Sequence, residues 1–206
     1  MLLLISGVSG VGKSTARLRL RERLGDRFES HELCTLGPVP DVPTVAWRQQ
    51  QAEVAVRRAL ELEAEGRHVL LAGDPVPAGE VLAAPSADRI DVAVCLLDVD
   101  EPSLHARLDG RADPPEWRHR HLAFADWLRR HATDPTHLPD VVTTDAWPEM
   151  VWDRWVGRSD LVDVWSMTVL DTSHRDPGDV ADRLADWCQA ALDGGVPVFR
   201  RGWHLA

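Results

Sequence analysis

Two rhythms of apolar and polar positions alternate along this chain. Near-continuous apolar runs at residues 2–5, 69–72 and 91–97 read as strands buried on both faces, the kind found in parallel sheets covered by helices. Residues 28–33 form a shorter candidate strand and residues 165–170 a last one. Between them, residues 15–24, 44–65, 79–84, 101–108 and 115–131 have helix-forming composition. Thr44 is placed to cap the long second helix and Gly66 to stop it. Asp176 and Pro177 open a closing helix, whose apolar stripe is Val180, Leu184, Trp187, Cys188, Ala191 and Leu192. Residues 132–163 break both rhythms with several prolines and with Trp147, Trp152 and Trp155. No repeat, low-complexity tract or linker divides the chain, which predicts one α/β domain over residues 1–206.

The junction between the first strand and the first helix reads Gly7-Val8-Ser9-Gly10-Val11-Gly12-Lys13-Ser14. It fits G-x-x-x-x-G-K-[ST] and stands in the strand–loop–helix context that this motif requires. Gly7, Gly10 and Gly12 let the backbone turn tightly, so that successive N–H groups, that of Val11 included, face an anion. The following helix adds its unpaired N–H groups and the positive end of its dipole. Lys13 is the only lysine in a chain that otherwise uses arginine for its cations, and it falls where a compact ammonium must lie beside the β- and γ-phosphates of a nucleotide. The Ser14 hydroxyl is placed to ligate Mg²⁺, with Thr15 next to it. The expected ligands are therefore a nucleotide and Mg²⁺.

Composition narrows the class further. At 206 residues, 44% hydrophobic and 27% charged, the chain suits one substantial core. A net charge of −10 argues against a nucleic-acid surface, which needs a basic stripe. The first apolar run is too short for a signal peptide or a membrane span, and Cys34, Cys95 and Cys188 are scattered and odd in number. A soluble, cytoplasmic protein with reduced thiols is expected, with no membrane partner.

On this loop, on Arg107-Leu108-Asp109-Gly110-Arg111 and on Val169-Leu170-Asp171-Thr172-Ser173, the chain resembles P-loop small-molecule and nucleoside-monophosphate kinases. That branch includes adenylate, shikimate and gluconate kinases and chloramphenicol phosphotransferase. Trp47-Arg48-Gln49 and residues 79–86 are also similar to an uncharacterised bacterial group of AAA-type P-loop ATPases. The resemblance implies a three-layer fold with a five-stranded parallel sheet in the order 2-3-1-4-5 and a lid-like segment near residues 107–121. It implies Arg107 near the base, Arg111 near the phosphates, and Asp171 and Thr172 in the loop passing close to adenine. The implied activity moves the γ-phosphate of ATP to a small acceptor that the sequence does not identify. The alternative is an ATP-binding or ATPase accessory protein without such an acceptor. No N-K-x-D guanine signature supports a GTP switch.

In such kinases the acceptor lies between the ends of the second and third strands. Asp74 and Glu32 occupy those stretches, so Asp74 is expected to orient Mg²⁺ or its water and Glu32 to act as the acceptor-side base. His31 is the alternative base and Asp98 the alternative magnesium ligand. Arg48 could hold an anionic acceptor group, and Trp47 could cover an aromatic or sugar acceptor. Arg118-His119-Arg120-His121 would close over phosphates as part of a lid, or form a solvated helix face. The three tryptophans of the irregular segment read better as core than as a ligand platform.

Overall fold

A computed structural model describes residues 1–110 and 114–205. Its strands are β1 (Leu2–Ser6), β2 (Phe28–His31), β3 (His68–Ala72), β4 (Val92–Asp98) and β5 (Thr168–Asp171). They lie in the order β2-β3-β1-β4-β5, and every pair is parallel. The helices are α1 (Lys13–Leu24), α2 (Val45–Glu63), α3 (Ala78–Ala83), α4 (Glu101–Asp109), α5 (Pro115–His131), α6 (Asp140–Thr143) and α7 (Pro177–Asp193). α1 packs against α7, α2 against β3 and α3, and α5 against β4 and α4. Central β1 is wholly buried, whereas β2 and β5 at the two edges are only partly covered. This is why the central strands read as unbroken apolar runs and the edges do not.

Among the boundaries that differ from the sequence reading, three stand out. β2 stops at His31, because Leu33 turns inward, 1% exposed, at the start of a tight turn over Leu33–Thr35. α2 ends at Glu63, and Gly66 takes a left-handed φ of 68° in the turn that follows. β5 begins at Thr168 and not at residue 165, because Trp165 is committed to an aromatic cluster. Its indole N–H donates to the carbonyl of His131, and its ring meets His131, Trp155, Phe199 and Trp203 at centroid distances of 5.2 to 5.7 Å. Phe199 pairs with Val92 through two backbone hydrogen bonds of 2.9 Å, so the C-terminal segment adds its aromatic rings to the same cluster.

The irregular segment is fastened by buried polar groups as well as by rings. Glu80, fully buried on α3, accepts two hydrogen bonds from the Arg48 guanidinium at 2.7 and 2.6 Å and a third from Gln49 at 3.0 Å. Gln49 also donates to the carbonyl of Val142 and accepts from the N–H of Trp147. Arg154 donates to the carbonyls of Leu82, Ala84 and Pro85. Trp155 is fully buried and its N–H donates to the carbonyl of Gly79. Among the described residues, no helix is long and apolar enough to cross a membrane.

Candidate functional site

The C-terminal ends of β1 and β3 open into a cleft of about 430 Å³, lined by Ser9, Gly10, Lys13, Ser14, Asp74 and Arg107 among others. Its floor is the loop between β1 and α1. Gly7 has φ 142°, and a side chain there would lie 2.7 Å from the carbonyl oxygen of Leu97. The loop therefore rests on the end of β4 at a spacing that only glycine permits. Gly12 precedes α1 at φ 103°, and no side chain caps the helix or places an acid in its first turn. The positive end of α1 is thus left for a ligand. Lys13 is 3% exposed, and its ammonium donates to the carbonyls of Gly7 at 2.8 Å and Val8 at 2.9 Å. Ser14 and Thr15 are exposed to the cleft.

Arg107, on α4, forms one wall. Its guanidinium donates to the carbonyl of Val11 at 3.2 Å, the hydroxyl of Thr172 at 3.0 Å and the carbonyl of Thr172 at 2.6 Å. It thereby ties the glycine loop to the turn after β5. Beyond it lies a more apolar cavity of about 270 Å³ bounded by Val11, Ala16, Arg107, Arg175 and Val180. Arg175 was missed in the sequence. It sits in the same turn, with its Nε donating to the carbonyl of Asp171 at 2.7 Å and its other end to Asp179 at 3.1 Å. The only sequence signal was its place four residues beyond Asp171. Two arginines border this cavity, and a guanidinium can stack on a flat base.

Asp74 belongs to two cavities. It lines the cleft above the glycine loop, and with Pro75 it also lines a cavity of about 240 Å³ against Leu33, Val45, Trp47 and Arg48. The N–H of Leu33 donates to its carboxylate at 2.7 Å, which fixes the residue between the ends of β2 and β3. Ser14 and Asp74 supply the hard oxygens that Mg²⁺ selects. No cluster of three or more His, Cys, Asp or Glu that could hold an ion exists among the described residues. Such an ion would draw its remaining ligands from phosphates and water.

The other candidates stand elsewhere. Glu32 packs over Gly73 and receives a hydrogen bond from Arg17 at 3.2 Å, and it lines neither the cleft nor the Trp47 cavity. His31 is engaged by Glu29 at 2.7 Å and by Thr35. Asp98 is gripped by Arg129 at 2.8 and 3.0 Å and faces a different depression with Asp100 and Asp171. Ser173 holds the pKa of Asp171 below the ordinary range, through its side chain first and then through its N–H, which donates to the Asp171 carboxylate at 2.9 Å. Thr172 is buried and acts on the cleft through Arg107. Arg48 is already held by Glu80, and Arg118 pairs with Asp109. Arg111 lies outside the described residues. Burial first, then the charges of Asp74 and Glu32, raise the pKa of exposed Cys34, the wrong direction for a nucleophilic thiolate.

No protein-family model and no curated protein matches this chain. Solved structures do. A sugar kinase from Janibacter sp. HTCC2649 is similar at a TM-score of 0.54 and 15% identity, over 91% of this chain and 94% of that one. A gluconokinase from Sinorhizobium meliloti 1021 is similar at 0.51 and 15% identity, over 91% and 94%. At this identity the likeness is one of fold: the chain, whose parallel sheet runs in the order 2-3-1-4-5, shares the overall α/β fold of these two kinases.

Proposed function

We propose that this protein moves the γ-phosphate of ATP to a hydroxyl group of a small molecule. The observation that carries this reading is the shared position of Asp74 between a cleft floored by the glycine loop and Lys13 and a second cavity built on Trp47. A phosphoryl donor in the first and an alcohol in the second would meet at that carboxylate. The names of the two similar structures, a sugar kinase and a gluconokinase, point the same way.

The roles follow from the positions. Amides of the glycine loop and the N-terminus of α1 hold the β- and γ-phosphate oxygens, and Lys13 shifts from the loop carbonyls to follow the charge of the transferring group. Arg107 and Arg175 border the base. A magnesium ion held by Ser14 and the nucleotide would neutralise charge on the phosphate oxygens. Asp74 orients the acceptor hydroxyl and takes its proton. The acceptor oxygen forms a new bond to the γ-phosphorus while the bond from that phosphorus to the β–γ bridging oxygen breaks, and ADP leaves with that electron pair. Most of the rate gain in such a reaction comes from positioning and charge stabilisation.

A coupled assay over a panel of nucleosides, sugars and antibiotics tests the reading. Acceptor-dependent release of ADP is expected with at least one alcohol, and it should vanish in Lys13→Ala. Uptake of ATP without such release from any acceptor would favour the accessory-protein alternative.

A further inference from the structure

The cavity beside Asp74 is lined by Arg48, the natural residue to hold a carboxylate or phosphate on an acceptor. The structure argues against that use. The Arg48 fork is spent on Glu80 at 2.7 and 2.6 Å, and Glu80 is fully buried. An incoming anion would have to draw the guanidinium away and leave a buried carboxylate short of its counter-charge. Asp74 stands at the same wall, so Arg48, Glu80 and Asp74 together carry one excess negative charge. Burial opposes the Arg48 cation, yet Glu80 and then Asp74 hold its pKa above the ordinary value, so the two carboxylates have already claimed this cation.

Most of the rest of the lining is apolar; the exception is Thr44, whose hydroxyl caps α2 by accepting from the N–H of Trp47 at 3.1 Å. Leu33, Pro43, Val45 and Pro75 contribute carbon, and the Trp47 ring is fixed by an N–H donated to the carbonyl of Pro38 at 3.1 Å. Its one polar atom is therefore satisfied, and carbon surface remains for a ligand. At about 240 Å³ the cavity is smaller than the range of roughly 300–1,000 Å³ typical of drug-sized ligands.

We propose that the acceptor is a compact alcohol carrying no carboxylate or phosphate, held with an apolar face against Trp47. This rests on the phosphotransferase reading, and it sets the chain apart from enzymes whose acceptors are sugar acids or nucleoside monophosphates. Specificity here comes from repulsion and from a cation already occupied, as much as from attraction.

Three probes of one shape decide the matter: 4-methylbenzyl alcohol, 4-(hydroxymethyl)benzylamine and 4-(hydroxymethyl)benzoate. Each is titrated into the full chain without nucleotide and followed by ligand-observed NMR. The neutral and cationic alcohols should bind at least about tenfold more tightly than the benzoate. Benzoate binding as tight as theirs overturns the proposal, and so does failure of all three to bind. Glu80→Gln should free the Arg48 fork and raise benzoate affinity by roughly tenfold. If that variant does not fold, Asp74→Asn makes the same point by removing the second carboxylate, and it should narrow the gap between the neutral alcohol and the benzoate. The series reads binding alone. Failure of the phosphotransferase reading would instead show as an alcohol that binds beside bound ATP and never releases ADP.

Discussion

His131 is 1% exposed, and neither ring nitrogen has a hydrogen-bond partner among the described residues. Its ring stacks on Trp127 at 4.5 Å and lies 5.2 Å from both Trp155 and Trp165. Burial among these rings lowers its pKa from 6.5 to about 3, with a smaller push from His137. Between those two values the unfolded chain binds a proton that the folded chain refuses, so stability must fall as pH falls through that window. At pH 4.5, two units below the unfolded value, the loss from this one group is about 3 kcal/mol. That is a large part of the roughly 5–15 kcal/mol that holds a typical domain together. Urea unfolding at pH 7.5 and pH 4.5 measures it, with His131→Phe as the comparison. The variant keeps a flat ring in the cluster and cannot take a proton. It should lose about 3 kcal/mol less than the parent over this interval. Parallel losses in parent and variant would refute the reasoning, whatever their absolute stabilities.

Other substitutions test other joints of the structure. Arg107→Ala removes the tie between the glycine loop and the turn after β5, so KM for ATP should rise about tenfold or more, with kcat less affected. Steady-state kinetics with varied ATP decides this, and an unchanged KM would remove Arg107 from the nucleotide site. Arg48→Met should cost about 3–5 kcal/mol in chemical denaturation, because Glu80 is left buried without its cation. The double variant Arg48→Met with Glu80→Leu should recover most of that loss, and a strictly additive double variant would show that the pair is not coupled.

The glycine loop between β1 and α1 was legible because everything it needs is local. Glycines, one lysine and a hydroxyl lie within eight consecutive residues, and the apolar run before them fixes the sheet position. The strand order came with the resemblance that this motif carried. What escaped the sequence depends on distant partners. Trp165 continues an apolar run and so reads as strand, but rings from residues 131, 155, 199 and 203 claim it. Leu33 is apolar enough for β2, yet its burial closes a turn instead. Arg48 and Glu80 are 32 residues apart, and no local pattern shows that one cancels the other. Arg175 is one arginine among many, singled out only when the turn after β5 swings it beside Arg107. Asp74 was recognisable by its place after the third strand. Its membership of two cavities is visible only in three dimensions.

The account stands on a triphosphate gripped by the loop after β1 and by the Lys13 ammonium. Calorimetric titration of the folded chain with ATP and magnesium tests that grip most directly, run beside a folded Lys13→Ala variant. The account predicts saturable uptake by the parent and affinity weakened on the order of a hundredfold in the variant. No heat of binding from folded parent protein, or equal affinity in both, would contradict it.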